Sequence, residues 1–80
     1  MHEMHLLRDL MDDLLKKAEE NDVDKITRIY IRMGDYTEIN PEILRYFFRE
    51  HGKETIAEGA EIEIEPSQTR ELRLLSFDCE

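Results

Sequence analysis

The chain has 80 residues, with 20 Asp and Glu against 11 Lys and Arg and a net charge of −9. That length makes one domain, 1–80, with a small core, since a chain of this size buries only about 60% of the surface its unfolded form exposes. The acidic balance disfavours a sequence-independent grip on nucleic-acid phosphates or anionic membranes, and favours cations or basic surfaces as partners.

The chain starts Met1-His2-Glu3, an imidazole one residue behind an α-amine. Amine, following amide nitrogens and imidazole can close small chelate rings, and a near-planar set of nitrogen ligands suits Ni(II) or Cu(II). A bulky second residue disfavours removal of the initiator methionine, so Met1 is expected to stay and to head the chelate. The plain reading of the same residues is a solvated terminal histidine with no ligand role. Glu3, Arg8 and Asp9 stand where a signal peptide would need a basic start and a long apolar run. Nowhere do about eighteen apolar residues run together, so no membrane span is expected.

From Met4 to Ala18, Met4, Leu7, Met11, Leu14, Leu15 and Ala18 recur at steps of three and four, with Leu10 beside them. This spacing predicts an amphipathic helix ending near Glu20, with Asn21-Asp22 as its stop. Asp12 to Lys16 and Asp13 to Lys17 offer acid-first pairs on its outer face. Lys25 to Met33 predicts a half-buried strand, with Thr27, Ile29, Ile31 and Met33 on one side and Arg28, Tyr30 and Arg32 on the other. Gly34-Asp35 ends it.

Asn40-Pro41-Glu42 combines a capping side chain, a first-position proline and an acid in the first turn, which starts a second helix. Ile43, Leu44, Phe47 and Phe48 form its apolar face, Tyr46 lies at the flank, His51 falls in the last turn, and Gly52 is expected as a left-handed stop. Ala60 to Glu65 alternates Ile62 and Ile64 with Glu61, Glu63 and Glu65, a second strand, and Arg70 to Glu80 supplies a third. A bulge near Leu75-Ser76 would bring Leu72, Leu74, Phe77 and Cys79 all toward the core. Pro66 to Thr69 is a short join, which predicts an antiparallel hairpin of the last two strands. Arg28, Arg32 and Arg73 are expected to neutralise the glutamates of the second strand across the exposed face.

The order αβαββ gives an α+β domain, two helices packed on one face of a three-stranded sheet. The lone Cys79 excludes an internal disulfide and a multi-cysteine zinc site, reads as a small buried hydrophobe, and fits a reducing, cytoplasmic setting. Exposed Leu75 and an unpaired edge strand leave room for a homodimer. The carboxylate-rich patches come without a nucleophile or phosphate loop, so no enzyme is expected.

Five segments stand in a fixed order: Met1-His2-Glu3-Met4 opening a helix, Lys25-Ile26-Thr27-Arg28 with Gly34, Pro41-Glu42 with Leu44 and Phe48, Thr55-Ile56-Ala57-Glu58-Gly59-Ala60-Glu61-Ile62, and Glu71-Leu72-Arg73-Leu74 leading to Ser76. Together they resemble the HypA/HybF hydrogenase maturation proteins. Each alone is weak; their order and spacing along the whole chain are more specific. The resemblance implies nickel binding at the chain start through the Met1 amine, His2 and the backbone nitrogen at Glu3. It implies delivery of Ni(II) to a hydrogenase-maturation GTPase or a hydrogenase large subunit, or to urease. His5 and Asn40 carry no ligand role in this reading. One departure stands out: where the family has a zinc module with paired Cys-x-x-Cys motifs between the last two strands, only residues 66–69 remain, so no structural zinc is expected. The alternative is a zinc-less protein-interaction or regulatory module without nickel delivery.

Overall fold

The computed structural model describes residues 4–35 and 39–80. Its elements run α1 (Met4–Glu20), β1 (Ile26–Met33), α2 (Pro41–His51), β2 (Glu61–Pro66) and β3 (Leu72–Cys79). The two helices cover one face of the sheet, giving the expected α+β layering. Leu7, Leu14, Ile26, Ile29, Ile31 and Leu44 are fully buried between the layers. Completely burying one such side chain is worth about 1.5–3 kcal/mol.

Each helix starts or stops where side chains can satisfy its end groups. At the end of α1, the Val23 N–H donates to the Ala18 carbonyl at 3.0 Å and the Asp22 N–H to the Glu19 carbonyl at 3.2 Å, with Asp22 left-handed at φ 54. That is a Schellman ending built without glycine. The Asn21 side-chain amide also donates to the Lys17 carbonyl at 2.7 Å, and Lys17 pairs with Asp13 at 3.0 Å. At the start of α2, the Asn40 side chain accepts the Ile43 N–H at 2.8 Å, with Pro41 in the first helical position. Gly52 differs from expectation: its φ of −83 is right-handed. Glycine fits there for space, because a Cβ would lie 2.6 Å from the Phe48 carbonyl oxygen.

The sheet order is β2-β1-β3, with β1 parallel to β2 and antiparallel to β3. The expected hairpin of the last two strands is therefore wrong. β1 carries the most deeply buried row of the three strands, so it takes the centre, where both of its backbone edges are paired. The connection from β2 to β3 passes over the end of β1. The Ser67 N–H donates to the Met33 carbonyl at 3.0 Å and the Gly34 N–H to the Glu71 carbonyl at 2.8 Å.

Two register shifts re-aim side chains. One lies opposite Leu75, between the Tyr30–Ser76 and Ile31–Leu74 pairs, where a bulge was expected. It brings Phe77 into phase with Leu72 and Leu74, all three half-buried, but Cys79 stays exposed. The other lies between Ile26 and Arg28, so Ile26 and Ile29 are both fully buried and Thr27 is only half-buried.

Candidate functional site

The anticipated ligands, Met1, His2 and Glu3, lie outside the described residues; what is described is the platform they are joined to. Helix α1 runs back along β1: after Glu20 the chain turns once and enters β1 at Ile26. The first turns of α1 therefore stand at the far end of β1, beside the start of β3. There Leu6, Asp9 and Leu10 border a groove with Leu72, Arg73 and Leu74. His5, on the first turn, is exposed.

The same end of the sheet carries the β2–β3 connection, residues 67–71, which forms a strap over Gly34. Its side chains close on one carboxylate. The Glu71 Oε2 accepts from Ser67 Oγ at 2.6 Å and from Thr69 Oγ1 at 2.8 Å. These two hydroxyls hold the Glu71 carboxyl below the usual carboxylate range, partial desolvation opposes them, and Arg32 and Arg73 add a smaller pull in the same direction. Residues 66–69, read from sequence only as a short join, thus divide between the end of β2 at Pro66 and an ordered strap that begins at Ser67, near the first described turn of α1. The Ser67, Thr69 and Glu71 spacing was a weak signal, since hydroxyls and acids two residues apart are common in turns.

The open face of the sheet carries a charge ladder. Arg28 pairs with Glu61 at 2.7 Å and Arg32 with Glu65 at 2.9 Å. Tyr30 donates its hydroxyl to Asp78 at 2.8 Å. Arg73 does not join it as expected: β3 is on the other side of β1 from β2, and Arg73 faces Arg32 across the strand pair. Such exposed pairs contribute under about 1 kcal/mol each and fix register more than stability. His51, exposed at the end of α2, stacks on Phe47 with ring centroids 4.1 Å apart. Among the described residues no grouping of three or more His, Cys, Asp or Glu side chains is placed to hold a metal ion. No described helix is long and apolar enough to cross a membrane.

Comparison with other proteins places this two-layer α+β frame and its short strap in a family of metal-handling proteins. The family model described as hydrogenase/urease nickel incorporation, metallochaperone, HypA matches residues 1–79. The chain belongs to that family. A hydrogenase maturation factor HypA from Archaeoglobus fulgidus is 41% identical over 64 residues, covering 80% of this chain and 58% of that protein. One from Caldanaerobacter subterraneus is 36% identical over 62 residues, covering 78% of this chain and 54% of that protein. The chain thus spans little more than half the length of these curated relatives. The solution structure of the Ni metallochaperone HypA from Helicobacter pylori shares the fold, with a TM-score of 0.78 over 96% of each chain at 16% identity.

Proposed function

We propose that this chain carries Ni(II) for the maturation of [NiFe] hydrogenase or urease. It holds the ion at the Met1 amine, the His2 imidazole and the backbone nitrogen of Glu3. The observation that carries the reading is the family match, which runs through the chain start from residue 1. The described structure is compatible with it: α1 begins at Met4, directly after these three residues in sequence, and its first turn carries the exposed His5. A terminus of this kind exchanges ligands easily and releases its ion to an acceptor, a maturation GTPase or a hydrogenase large subunit. The chain acts as a carrier, one domain over 1–80 in the cytoplasm, and not as an enzyme. Two copies can pair through the outer edge of β3, the strand that carries the exposed Leu75, a homodimer.

Structural zinc is not part of this reading. A closed zinc site takes about four Cys or His ligands, and the one cysteine, Cys79, is exposed at the end of β3. The strap of residues 67–71 closes the path between β2 and β3 directly.

Nickel must displace protons from the amine and an amide and must find a neutral imidazole, so binding fades as pH falls through the histidine range. The test is a calorimetric nickel titration of tag-free protein against N-acetylated and His2→Ala forms. Loss of the tight site in both supports the carrier. Equal affinity in all three overturns it and leaves an interaction module.

A further inference from the structure

Beside the free edge of β2 lies a groove of about 410 Å³ between that strand and α2. Phe48, Ala57, Ala60 and Ile62 give it an apolar floor, and Arg45 and Arg49 stand along its α2 wall. Among the described residues no strand pairs with the outer edge of β2 next to it. In a parallel pair, alternate residues of a strand direct both their N–H and C=O to the neighbour. The Ser67 N–H reaches the Met33 carbonyl of β1, so the odd-numbered residues of β2 face β1 and Ile62 and Ile64 turn their N–H and C=O outward. The Ile62 carbonyl is taken by a side chain, Arg45, at 3.1 Å.

Charge distinguishes this groove from the rest of an acidic molecule. Arg28 and Arg32 are occupied by Glu61 and Glu65. Arg45 instead rests on a neutral carbonyl. Arg49 lies 3.9 Å from the nearest Glu50 oxygen and 5.5 Å from the centre of the Tyr46 ring, which is 58% exposed. A carboxylate is the better partner for both guanidiniums, since it offers two acceptor oxygens to a planar fork of donors. Exposed Tyr and Arg beside a small apolar pocket is also the composition of interface hot spots.

We propose that this groove docks an extended segment of a partner protein, added as a fourth strand along β2. The segment carries an apolar side chain into the groove and one carboxylate to Arg45 and Arg49. Backbone pairing to Ile62 and Ile64 supplies affinity and the two side chains supply selectivity. Glu61 and Glu63 at the groove mouth limit the charge of the occupant. A polyacidic tail would be repelled there, whereas a single acid reaching α2 is not.

This surface goes beyond the nickel reading and is tested on metal-free protein, so either can fail without the other. The probe is the peptide Ac-Ile-Thr-Asp-Thr-Ile-NH2, titrated into nitrogen-15-labelled protein, with a second peptide carrying Lys in place of Asp as the control. Saturable amide shifts confined to β2 and the Phe48–Arg49 turn, absent with the Lys peptide, support the proposal. So does a loss of affinity of about tenfold in Arg45→Gln/Arg49→Gln, whose thermal midpoint reports that the fold is kept. No saturable shift up to millimolar peptide, equal binding of the Lys peptide, or unchanged binding by the double variant overturns it. Concentration-dependent shifts at β2 without peptide would also overturn it, because the occupant is then a second copy of this chain.

Discussion

A Cβ placed on Gly34 would lie 1.5 Å from the carbonyl oxygen of Thr69. The strap therefore lies directly on the backbone at the end of β1, and it is held there from both sides by the Ser67–Met33 and Gly34–Glu71 hydrogen bonds. Glycine is required by this close approach, independent of any turn conformation.

Gly34→Ala is expected to destabilise the fold by about 2–3 kcal/mol, at the upper end of ordinary overpacking, because the obstructing atom belongs to backbone and not to a flexible side chain. For a domain of this size that lowers the thermal midpoint by at least about 8 °C. Circular dichroism melts of the two proteins check it. A midpoint unchanged within a degree would mean that the strap lifts freely from β1.

Protonating Glu71 should loosen the same strap. Its folded-state value is depressed chiefly by the hydroxyls of Ser67 and Thr69. The stabilisation it contributes is therefore complete above the unfolded carboxylate value and is lost as pH falls through the lower folded value. Urea unfolding measured from about pH 6 down to about pH 3 should show Glu71→Gln converging on the parent as the acid limit is approached. Ser67→Ala should move the carboxyl back up toward the ordinary range, read from its carbon-13 titration. A parent and Glu71→Gln differing by the same amount at every pH would remove the carboxylate from the account.

The strap also explains why the strand order was not legible from sequence. The five residues 67–71 reach at most about 17 Å, and stepping over one strand to the next requires about 10 Å. A join that short therefore serves a hairpin and a crossing of β1 equally well. The deciding feature was the fully buried row of Ile26, Ile29 and Ile31, which has no counterpart in β2 or β3 and makes β1 the central strand. Both helices were legible because their apolar period, the Asn40 cap and the Asn21-Asp22 stop act over a few residues. Cys79 was misplaced because the bulge at Leu75 shifts phase once, while the end of β3 faces the second shift at Ile26. As for the candidate site, Met1, His2 and Glu3 were readable as ligands by residue type and family resemblance. The Arg45–Arg49 groove had no local signal, since its walls come from α2 and from residues 57–63 and meet only after β2 has docked on β1.

Asp22 offers a stabilising change. It holds φ 54 at the end of α1, a left-handed conformation that costs a residue with a Cβ about 1 kcal/mol and glycine almost nothing. Asp22→Gly should retain the Val23 to Ala18 hydrogen bond and raise stability by about 0.5–1 kcal/mol, while Asp22→Ala should lower it. Chemical unfolding midpoints at equal slope decide this. A loss of stability in the glycine variant would show that the Asp22 side chain contributes more than its backbone strain costs.

Tyr30 and Asp78 make a prediction at the alkaline end. The phenol donates to the Asp78 carboxylate at 2.8 Å. Ionising it would lose that bond and set phenolate against carboxylate, so the Tyr30 hydroxyl is raised above its ordinary value, with burial adding to the shift and Arg28 opposing it. Because the folded value is the higher one, the contribution to stability is complete below the unfolded tyrosine range and is lost as pH rises through the folded value. Asp78→Asn should bring the Tyr30 titration, followed by its ring carbon-13 shift, down toward the ordinary value. Arg28→Gln should move it further up, since removing the guanidinium leaves the carboxylate unopposed. A Tyr30 titration identical in the parent and Asp78→Asn would mean that the hydrogen bond across β1 and β3 is not kept in solution, and the register of that pair would then rest on the apolar face alone.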